Sequence, residues 1–366
     1  MRICPVAVAA VAGVAGICAL ASAPSAGRNG GMLATSQAGY AKPLAGELAG
    51  AGLVPREQGP GWVLCDGGSG RELPEPAFAW LRLPAPREFR GARINALGRQ
   101  IADYLADSLR DERLETVWPC VWGGAGEIAG LTRRVTAVQK TFQDLLRRKL
   151  SRVARLARTG MPSGLGPVRG FFVCFTDFDR AFAAREAVLG GQRRMADDAA
   201  APSRSYLKVE EAYGVLGAEP RPGETVADLG AAPGGWSYSA ARRGARVVAV
   251  DNGPLKGGAL GHPGIEHRRE DAFRFRPAPG ETFDWLFCDL VAEPHQVLRH
   301  LVAPWLERRW CRRFIINLKF GRVDPLGLLR ELRMPASPFA LNAADFRIRH
   351  LYHDREEFTV VGGLRP

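Results

Sequence analysis

The spacing of apolar residues predicts helices and a buried strand in the first half of the chain. One set recurs every three or four positions and predicts a helix over 94–109: Ile94, Leu97, Ile101, Leu105 and Leu109. A second stripe predicts a helix over 141–157 and consists of Phe142, Leu145, Leu146, Leu150, Val153 and Ala157. The run 171–175 is apolar throughout, which indicates a buried strand. Residues 32–90 contain short apolar stretches between turns, as expected for a small α/β module.

Short apolar runs alternate with helical patterns in the second half. Helices are expected from about residue 235 and over 295–310, and the runs predict strands over 225–229, 246–250, 284–288, 313–318 and 358–361. Strands and helices that alternate in this way favour a parallel sheet covered by helices. Because such sheets bind ligands at the carboxyl ends of their strands, we expect a functional site at that edge.

Composition and charge add two constraints. The 366 residues allow two or three domains, and the net charge of +12 suggests a polyanionic partner. The excess of basic over acidic residues is larger in residues 1–198 than in residues 199–366. Seven cysteines occur without a C-x-x-C pair or zinc-ligand spacing, which predicts a reducing compartment and no metal site.

The first 31 residues resemble a secretory signal. Apolar residues follow Arg2 up to an A-x-A triplet that ends at Ala23. Pro5 and several glycines interrupt the run, so we do not expect a membrane span. The sequence from Met32 resembles a second translation start. We therefore favour a mis-assigned N-terminal extension over a genuine export signal. We therefore expect a cytoplasmic protein whose folded part begins at Met32.

A loop rich in glycine follows the predicted strand 225–229. It reads Asp-Leu-Gly-Ala-Ala-Pro-Gly-Gly-Trp over 228–236, and its glycines allow positive φ angles and a close approach of the backbone to a ligand. Asp251 ends the next predicted strand about twenty residues later, where nucleotide-binding units place a carboxylate for ribose hydroxyls. An ordinary strand–loop–helix unit is the simplest interpretation of such a loop. The loop matches neither the dinucleotide motif G-x-G-x-x-G nor a P-loop.

This loop resembles the S-adenosylmethionine loop of FtsJ-type ribose 2′-O-methyltransferases. Over 201–361 the chain resembles one group of them, the RlmM-like 23S rRNA cytidine 2′-O-ribose methyltransferases, in the glycine loop and in the segments 201–212, 251–254, 269–273, 287–290, 317–319 and 352–360. The resemblance implies an α/β fold with a Rossmann-like methyltransferase domain over 199–366. Ahead of that domain it implies an α+β region, with a ferredoxin-like module over 32–92 and a THUMP-like RNA-binding region and linker over 93–198.

The resemblance also implies an active site. The catalytic quartet Lys, Asp, Lys, Glu of the family falls on Lys208, Asp289, Lys319 and Glu357. The implied cofactor is S-adenosylmethionine, and its implied site comprises Asp228, Gly230, Pro233, Gly234, Gly235, Trp236, Asp251, Asp271 and Asp289. Asp251 would bind ribose hydroxyls and Asp271 the adenine amino group, whereas the alternative for Asp271 is a helix N-cap.

The implied partner is 23S ribosomal RNA or a precursor of the large subunit, rather than DNA or a membrane. Ser203 and Arg204 would contact this RNA, although a capping role for the neighbouring Ser205 is equally plausible. A monomer or a weak homo-oligomer is expected.

The reaction gives a reason for lysine in the quartet. A ribose 2′-hydroxyl attacks well only when it begins to lose its proton, so the site needs a base and an in-line arrangement of oxygen, methyl and sulfur. We expect Lys319 to be this base if burial and a second lysine lower its pKa, with Asp289 and Glu357 positioning the lysines and Lys208 stabilising the alkoxide. Only six lysines stand beside 44 arginines, yet two of them fall on these positions. Arginine does not release its proton and could not serve as the base.

Basic residues line one face of the predicted helix 141–157, among them Arg148, Lys149, Arg152 and Arg155. A solvated helix surface is the usual meaning of such a run. A surface that contacts phosphates is the alternative, and the RNA chemistry of the second half favours it.

Other functions fit the sequence less well. Amino-group methyltransferases carry [Asp/Asn]-Pro-Pro-[Tyr/Phe] where this chain continues from Asp289 with Leu-Val-Ala, and Cys288 is expected to point the wrong way for a cytosine C5 nucleophile. The glycine loop disfavours an NAD-dependent oxidoreductase. The main alternative is a non-catalytic RNA-binding or ribosome-assembly protein that keeps the fold, and the complete quartet argues against it.

Overall fold

The computed structural model describes residues 31–67 and 75–366. The predicted N-terminal extension 1–31 therefore lies outside the described residues, except for Gly31. Strands that precede residue 190 form one sheet, and strands that follow residue 224 form another.

The first sheet has nine strands among the described residues. Eight of them follow the order β2-β3-β1-β4-β9-β8-β6-β7, and β5 pairs with β9. Their bounds are β1 Met32–Thr35, β2 Val54–Gly59, β3 Trp62–Asp66, β4 Leu81–Pro84, β5 Arg87–Arg90, β6 Trp118–Gly124, β7 Ala157–Arg158, β8 Gly166–Asp177 and β9 Arg180–Leu189. The predicted strand 171–175 lies within β8. Because β4 and β5 both pair with β9, the predicted ranges 32–92 and 93–198 share this sheet.

Four helices accompany the first sheet: α1 Ala41–Gly50, α2 Ile94–Ser108, α3 Leu131–Lys149 and α4 Ser151–Leu156. Helix α2 agrees with the prediction over 94–109. The predicted helix 141–157 is instead the end of α3 followed by α4, with a break at Leu150, where φ is −139° and ψ is 60°. The close packing of α2 on α3 requires Gly98, because a Cβ there would lie 3.0 Å from the side chain of Thr141.

The second sheet has seven strands in the order β12-β11-β10-β13-β14-β16-β15. Their bounds are β10 Thr225–Leu229, β11 Arg246–Val250, β12 Ile265–Arg268, β13 Phe283–Cys288, β14 Cys311–Lys319, β15 Ala343–Arg349 and β16 Glu357–Leu364. The first five strands in this order are parallel, whereas β16 runs antiparallel to both β14 and β15. The prediction of a parallel sheet is therefore wrong at this edge, because the short connection 350–356 can only return the chain antiparallel to β15.

Six helices belong to the second half: α5 Tyr206–Leu216, α6 Gly235–Ala241, α7 Pro294–Val297, α8 Ala303–Glu307, α9 Pro325–Arg333 and α10 Pro338–Asn342. The predicted helix 295–310 is α7 and α8 joined by a π-helical turn over Leu298–Val302. Within 31–67 and 75–366, no helix combines the length and apolar character that a membrane span requires.

The two halves share one apolar core. The ring of Phe78 lies 5.1 Å from that of Phe358 and 6.2 Å from that of Phe320, centroid to centroid. An ion pair of 2.7 Å between Arg333 and the buried Glu47 also joins α9 to α1. The first half therefore packs directly against the edge of the second sheet that carries β15 and β16.

Candidate active site

The topology of the second sheet brings three members of the quartet to one edge. Asp289 directly follows β13, and Lys319 is the last residue of β14. Glu357 is the first residue of β16 and lies opposite Lys319 in the antiparallel register. The reversed direction of β16 is therefore what places its N-terminal end beside the carboxyl ends of β13 and β14.

All four quartet residues are in contact. Lys319 Nζ donates to Asp289 Oδ1 at 2.5 Å and to Glu357 Oε2 at 2.7 Å. Lys208, from the first turn of α5, forms an ion pair with Glu357 Oε1, and its Nζ lies 3.9 Å from Asp289 Oδ2. Glu357 thus bridges two ammonium groups, and its side chain is 6% exposed.

The electrostatics of Lys319 differ from the expectation. Burial by itself lowers the pKa of this amine, but the carboxylates of Asp289 and Glu357 outweigh burial and raise the pKa above its usual value. The predicted lowering of the Lys319 pKa is therefore wrong for this structure, because two carboxylates lie within hydrogen-bonding distance of its amine. Burial raises the pKa of Glu357, yet Lys319 and Lys208 together bring it to about 2.

A buried hydrogen-bonded group lies behind Lys319 and was not among the predicted site residues. Asn317 Oδ1 accepts from Lys319 Nζ at 2.8 Å, and Asn317 Nδ2 donates to Asp354 Oδ1 at 3.4 Å. Thr359 Oγ1 donates to Asp354 Oδ2 at 3.0 Å. Asn317 could have been predicted from the sequence, because side chains two residues apart in a strand, such as Asn317 and Lys319, lie on the same side of the sheet.

Glu211 fixes the helix that carries Lys208. Its carboxylate is 1% exposed and accepts from the main-chain N–H groups of Arg193, Tyr352 and His353. Burial outweighs these three bonds and raises the pKa of Glu211 to about 8. Helix α5 is thereby tied to the connection 350–356 that leads into Glu357.

The glycine loop has the tight conformation that its sequence predicts. Gly230 has φ of +83° and Gly234 has φ of +107°, values that other residues rarely adopt. A Cβ on Gly234 would lie 2.5 Å from that of Ala259, and one on Gly230 would lie 2.7 Å from a methyl carbon of Leu290. Either substitution would therefore distort the loop.

Four carboxylates lie at or just after the carboxyl ends of strands in the second sheet. Asp228 is buried, accepts from Ser237 Oγ at 2.6 Å, and has its pKa raised to about 7 by burial. Its Oδ1 has no hydrogen-bond partner among the described residues. Asp251 accepts from the N–H groups of Ala232 and Gly253 at 3.0 and 2.7 Å. With Asp289 and the exposed Asp271, they form an acidic setting that suits a cationic nucleoside with free ribose hydroxyls.

Three predicted cofactor residues have structural contacts of their own. Trp236 is buried, and its Nε1 donates to the carbonyl of Ser205 at 3.0 Å, so its indole belongs to the core beneath the loop. Asp271 accepts from the N–H of Phe273 at 2.8 Å within a turn, and no helix begins there. Gly235 packs under Ser203 and Ser205, where a Cβ would lie 2.8 Å from Ser205 Oγ.

A cleft of about 540 Å³ opens beside Lys319 and Glu357. Arg322, Arg355 and the 93%-exposed Val291 contribute to its walls. A second cleft of about 520 Å³ lies between the first sheet and the connection 350–356, with Trp80, Trp122 and Tyr352 in its lining. The connection 350–356 therefore borders both clefts.

Four of the predicted RNA-contacting residues lie on α3 and α4 beside the first sheet, and the other two, Ser203 and Arg204, directly precede α5. Arg148, Arg152 and Arg155 are exposed on α3 and α4, and Lys149 forms an exposed ion pair of 2.9 Å with Asp103. Arg204 is also exposed, 3.6 Å from Asp197. Ser203 Oγ is hydrogen-bonded to Ser205 Oγ at 2.7 Å.

Comparison with known proteins identifies the relatives of this chain. Residues 201–310 match the family model of the FtsJ-like methyltransferases. The chain is 35% identical over 345 residues to the ribosomal RNA large subunit methyltransferase M of Laribacter hongkongensis, an alignment that covers 87% of this chain and 91% of the relative. The protein of that name from Azoarcus sp. is 32% identical, with 92% of this chain and 96% of the relative covered. That from Halorhodospira halophila is 43% identical over 56% of this chain and 60% of the relative.

These relatives decide the class of the protein and its cofactor. The loop that led us to predict S-adenosylmethionine lies within the matched FtsJ-like segment, and the prediction of this cofactor is confirmed. Its residues fit such a ligand, as the acidic surroundings of the loop indicate. The chain belongs to the family of the ribosomal RNA large subunit methyltransferase M and is a methyltransferase.

Proposed function

We propose that the protein methylates a ribose 2′-hydroxyl in 23S ribosomal RNA, on a cytidine, with S-adenosylmethionine as the donor. The observation that carries this proposal is the contact of Lys319 Nζ with both Asp289 and Glu357 at the mouth of the cleft. A hydroxyl nucleophile needs such a group of proton-holding side chains, whereas an already nucleophilic carbon or sulfur would not. The names of the relatives support ribosomal RNA as the substrate.

Each member of the quartet has a distinct part in the proposed reaction. The cofactor supplies an electrophilic methyl group and a positive charge when it is bound. Lys319 Nζ orients the 2′-hydroxyl and takes its proton, and Asp289 and Glu357 hold that amine in place. Because the raised pKa of Lys319 keeps its amine protonated, Nζ must release a proton to solvent before it can take the one from the hydroxyl. Lys208 Nζ stabilises the oxygen as negative charge develops on it.

The structure weakens the competing chemistries. Cytosine C5 methylation needs a reactive thiolate, but Cys288 is fully buried in β13 and burial raises its pKa to about 12. A non-catalytic RNA-binding protein would not require four mutually paired charged residues whose side chains are only 6–21% exposed, because such groups cost free energy to desolvate. We therefore favour catalysis over a role in binding alone.

Mapping of 2′-O-methyl groups tests the proposal directly. Ribosomal RNA from cells without this protein should lack one 2′-O-methylated cytidine in the large-subunit RNA, and the purified protein with S-adenosylmethionine should restore it. A Lys319→Met variant provides the control, since it should bind the cofactor and leave the nucleotide unmodified. Restoration of a base methyl group instead of a ribose methyl group would contradict the proposal.

We further propose that the region 93–198 is THUMP-like and contacts RNA through the basic face of α3 and α4. Replacing Arg148, Lys149, Arg152 and Arg155 by Ala should weaken RNA binding by about ten-fold or more. It should also flatten the dependence of binding on salt, because a protein with fewer phosphate contacts releases fewer counterions when it binds. Binding isotherms at several salt concentrations measure both effects.

A matched variant separates this face from net charge. Arg274, Arg299, Arg312 and Arg330 are also exposed, and their replacement by Ala removes the same charge from the second half. We expect a smaller loss of affinity from this control, and unchanged S-adenosylmethionine binding in both variants. Equal salt slopes for the two variants would contradict RNA binding by α3 and α4 and would indicate that their basic face is an ordinary solvated surface.

A further inference from the structure

Two side chains hold the main-chain carbonyl of Arg355. Tyr40 OH and His350 Nε2 each lie 2.7 Å from this oxygen. Because a carbonyl only accepts, Nε2 must carry the proton of the imidazole. Burial lowers the pKa of His350 to about 4, so this ring is neutral at physiological pH and its tautomer is set by the contact.

Arg355 also contacts Glu357, through its main-chain N–H group. The main-chain N–H of Arg355 donates to Glu357 Oε1 at 3.1 Å, and that oxygen also receives Lys208. Arg355 is therefore fixed at its carbonyl by Tyr40 and His350 and fixes the bridging carboxylate with its amide. Two hydrogen bonds, joined through Arg355, lead from Tyr40 to the quartet.

The first half of the protein supports this arrangement at several points. The main-chain N–H of His350 donates to the carbonyl of Ala77 at 2.9 Å, and Trp80 Nε1 donates to the carbonyl of His350 at 3.3 Å. The rings of Tyr40 and His350 are 4.1 Å apart, and Tyr40 stacks on Phe78 at 5.7 Å. The connection 350–356 is thus held by residues that precede β5.

We infer that Tyr40 is a positioning residue for Glu357, and that the first half of the protein thereby sets the geometry of the active site as well as contacting RNA. The inference rests on the proposed function, because Glu357 matters only if the quartet carries the reaction. Glu357 must present one oxygen to each lysine, and small displacements of reacting groups reduce rates strongly. Glu211 holds Tyr352 and His353 at one end of the connection, and Phe320 N–H donates to the carbonyl of Glu356 at the other. Tyr40 and His350 are the side chains that hold the carbonyl of Arg355 between these points.

Tyr40→Phe tests this inference because it removes one hydroxyl and keeps the packed ring. A single hydrogen bond of this type corresponds to about a two- to ten-fold change, so kcat should fall by about that factor while KM for RNA and the affinity for S-adenosylmethionine stay unchanged. Hydrogen–deuterium exchange in the segment 351–358 should accelerate by a similar factor. Tyr104→Phe is the control: the ring of Tyr104 packs on Phe89 and Phe171 within the first half, and the loss of its hydroxyl should change neither the rate nor this exchange.

The Glu357→Gln background distinguishes positioning from general stability. If Tyr40 acts through Glu357, adding Tyr40→Phe to Glu357→Gln should lower the residual rate by less than about two-fold, since coupled residues are not additive. Full additivity of the two substitutions, or unchanged exchange over 351–358 in Tyr40→Phe, would overturn the inference. The exchange measurement needs no RNA, so it tests the positioning by Tyr40 even if the proposed ribose chemistry is wrong. Failure of that chemistry would be seen separately, as an inactive wild-type protein in the mapping experiment.

Discussion

Lys319→Arg should reduce single-turnover methyl transfer to RNA by about a thousand-fold, which lies within the range expected for the loss of a general base. Arginine keeps the positive charge between Asp289 and Glu357 but does not become a neutral amine near neutral pH. Its planar head would also displace the ribose oxygen from the line of attack. Affinity for S-adenosylmethionine should stay within a few-fold of wild type, because the charge beside Asp289 is retained.

Two matched variants and a pH profile sharpen this test. Lys319→Met loses charge as well as basicity and should be no more active than Lys319→Arg, whereas Lys208→Arg should retain more activity if Lys208 supplies only charge. The wild-type rate should rise about ten-fold per pH unit between pH 6.5 and 9, because the raised pKa of Lys319 leaves little neutral amine and each unit increases it ten-fold. A flat profile, or near-normal rates for Lys319→Arg, would make Asp289 or a water that it holds the better proton acceptor.

Glu357→Gln should lower methyl transfer by about a hundred-fold or more and reduce the free energy of unfolding by about 3 kcal/mol, the usual scale for breaking a buried ion pair. The substitution keeps the shape of the side chain but leaves Lys208 and Lys319 with one carboxylate between them. Chemical denaturation at pH 7 measures the stability, and single-turnover kinetics measure the transfer.

The effect of pH on stability gives an independent check of this variant. The folded pKa of Glu357 is about 2, below its ordinary value of 4.5, so its stabilising contribution is present above about pH 4.5 and is lost as pH falls toward 2. The stability difference between wild type and Glu357→Gln should therefore shrink over this acidic range. Glu356→Gln is the matched control, because it removes the same charge from the exposed neighbouring position and should alter rate and stability little. A pH-independent difference would mean that Glu357 is not charged between the lysines.

Much of the fold of the second half could be predicted from local patterns. The strands at 225–229 and 246–250 agree with the structure, because short apolar runs between turn residues have few other stable conformations. Helix 94–109 was equally predictable from its apolar stripe. The start of α3 and its break at Leu150 could not be predicted, since they depend on packing against α2 and β6 rather than on the spacing of apolar residues. Strand β15 was not predicted, although Phe346 and Ile348 alternate with polar residues along it.

The sequence alone determined the chemistry that this protein can offer. The glycine loop indicated the cofactor, and the resemblance to the RlmM-like family implied the quartet. The two scarce lysines at these positions, in a chain rich in arginine, supported that assignment. The tertiary structure decided how these groups act on one another. The antiparallel direction of β16 sets Glu357 opposite Lys319, and the resulting pair of carboxylates raises the pKa of Lys319 where the sequence suggested a decrease. Distances between side chains far apart in the chain control such interactions, and only folding defines those distances.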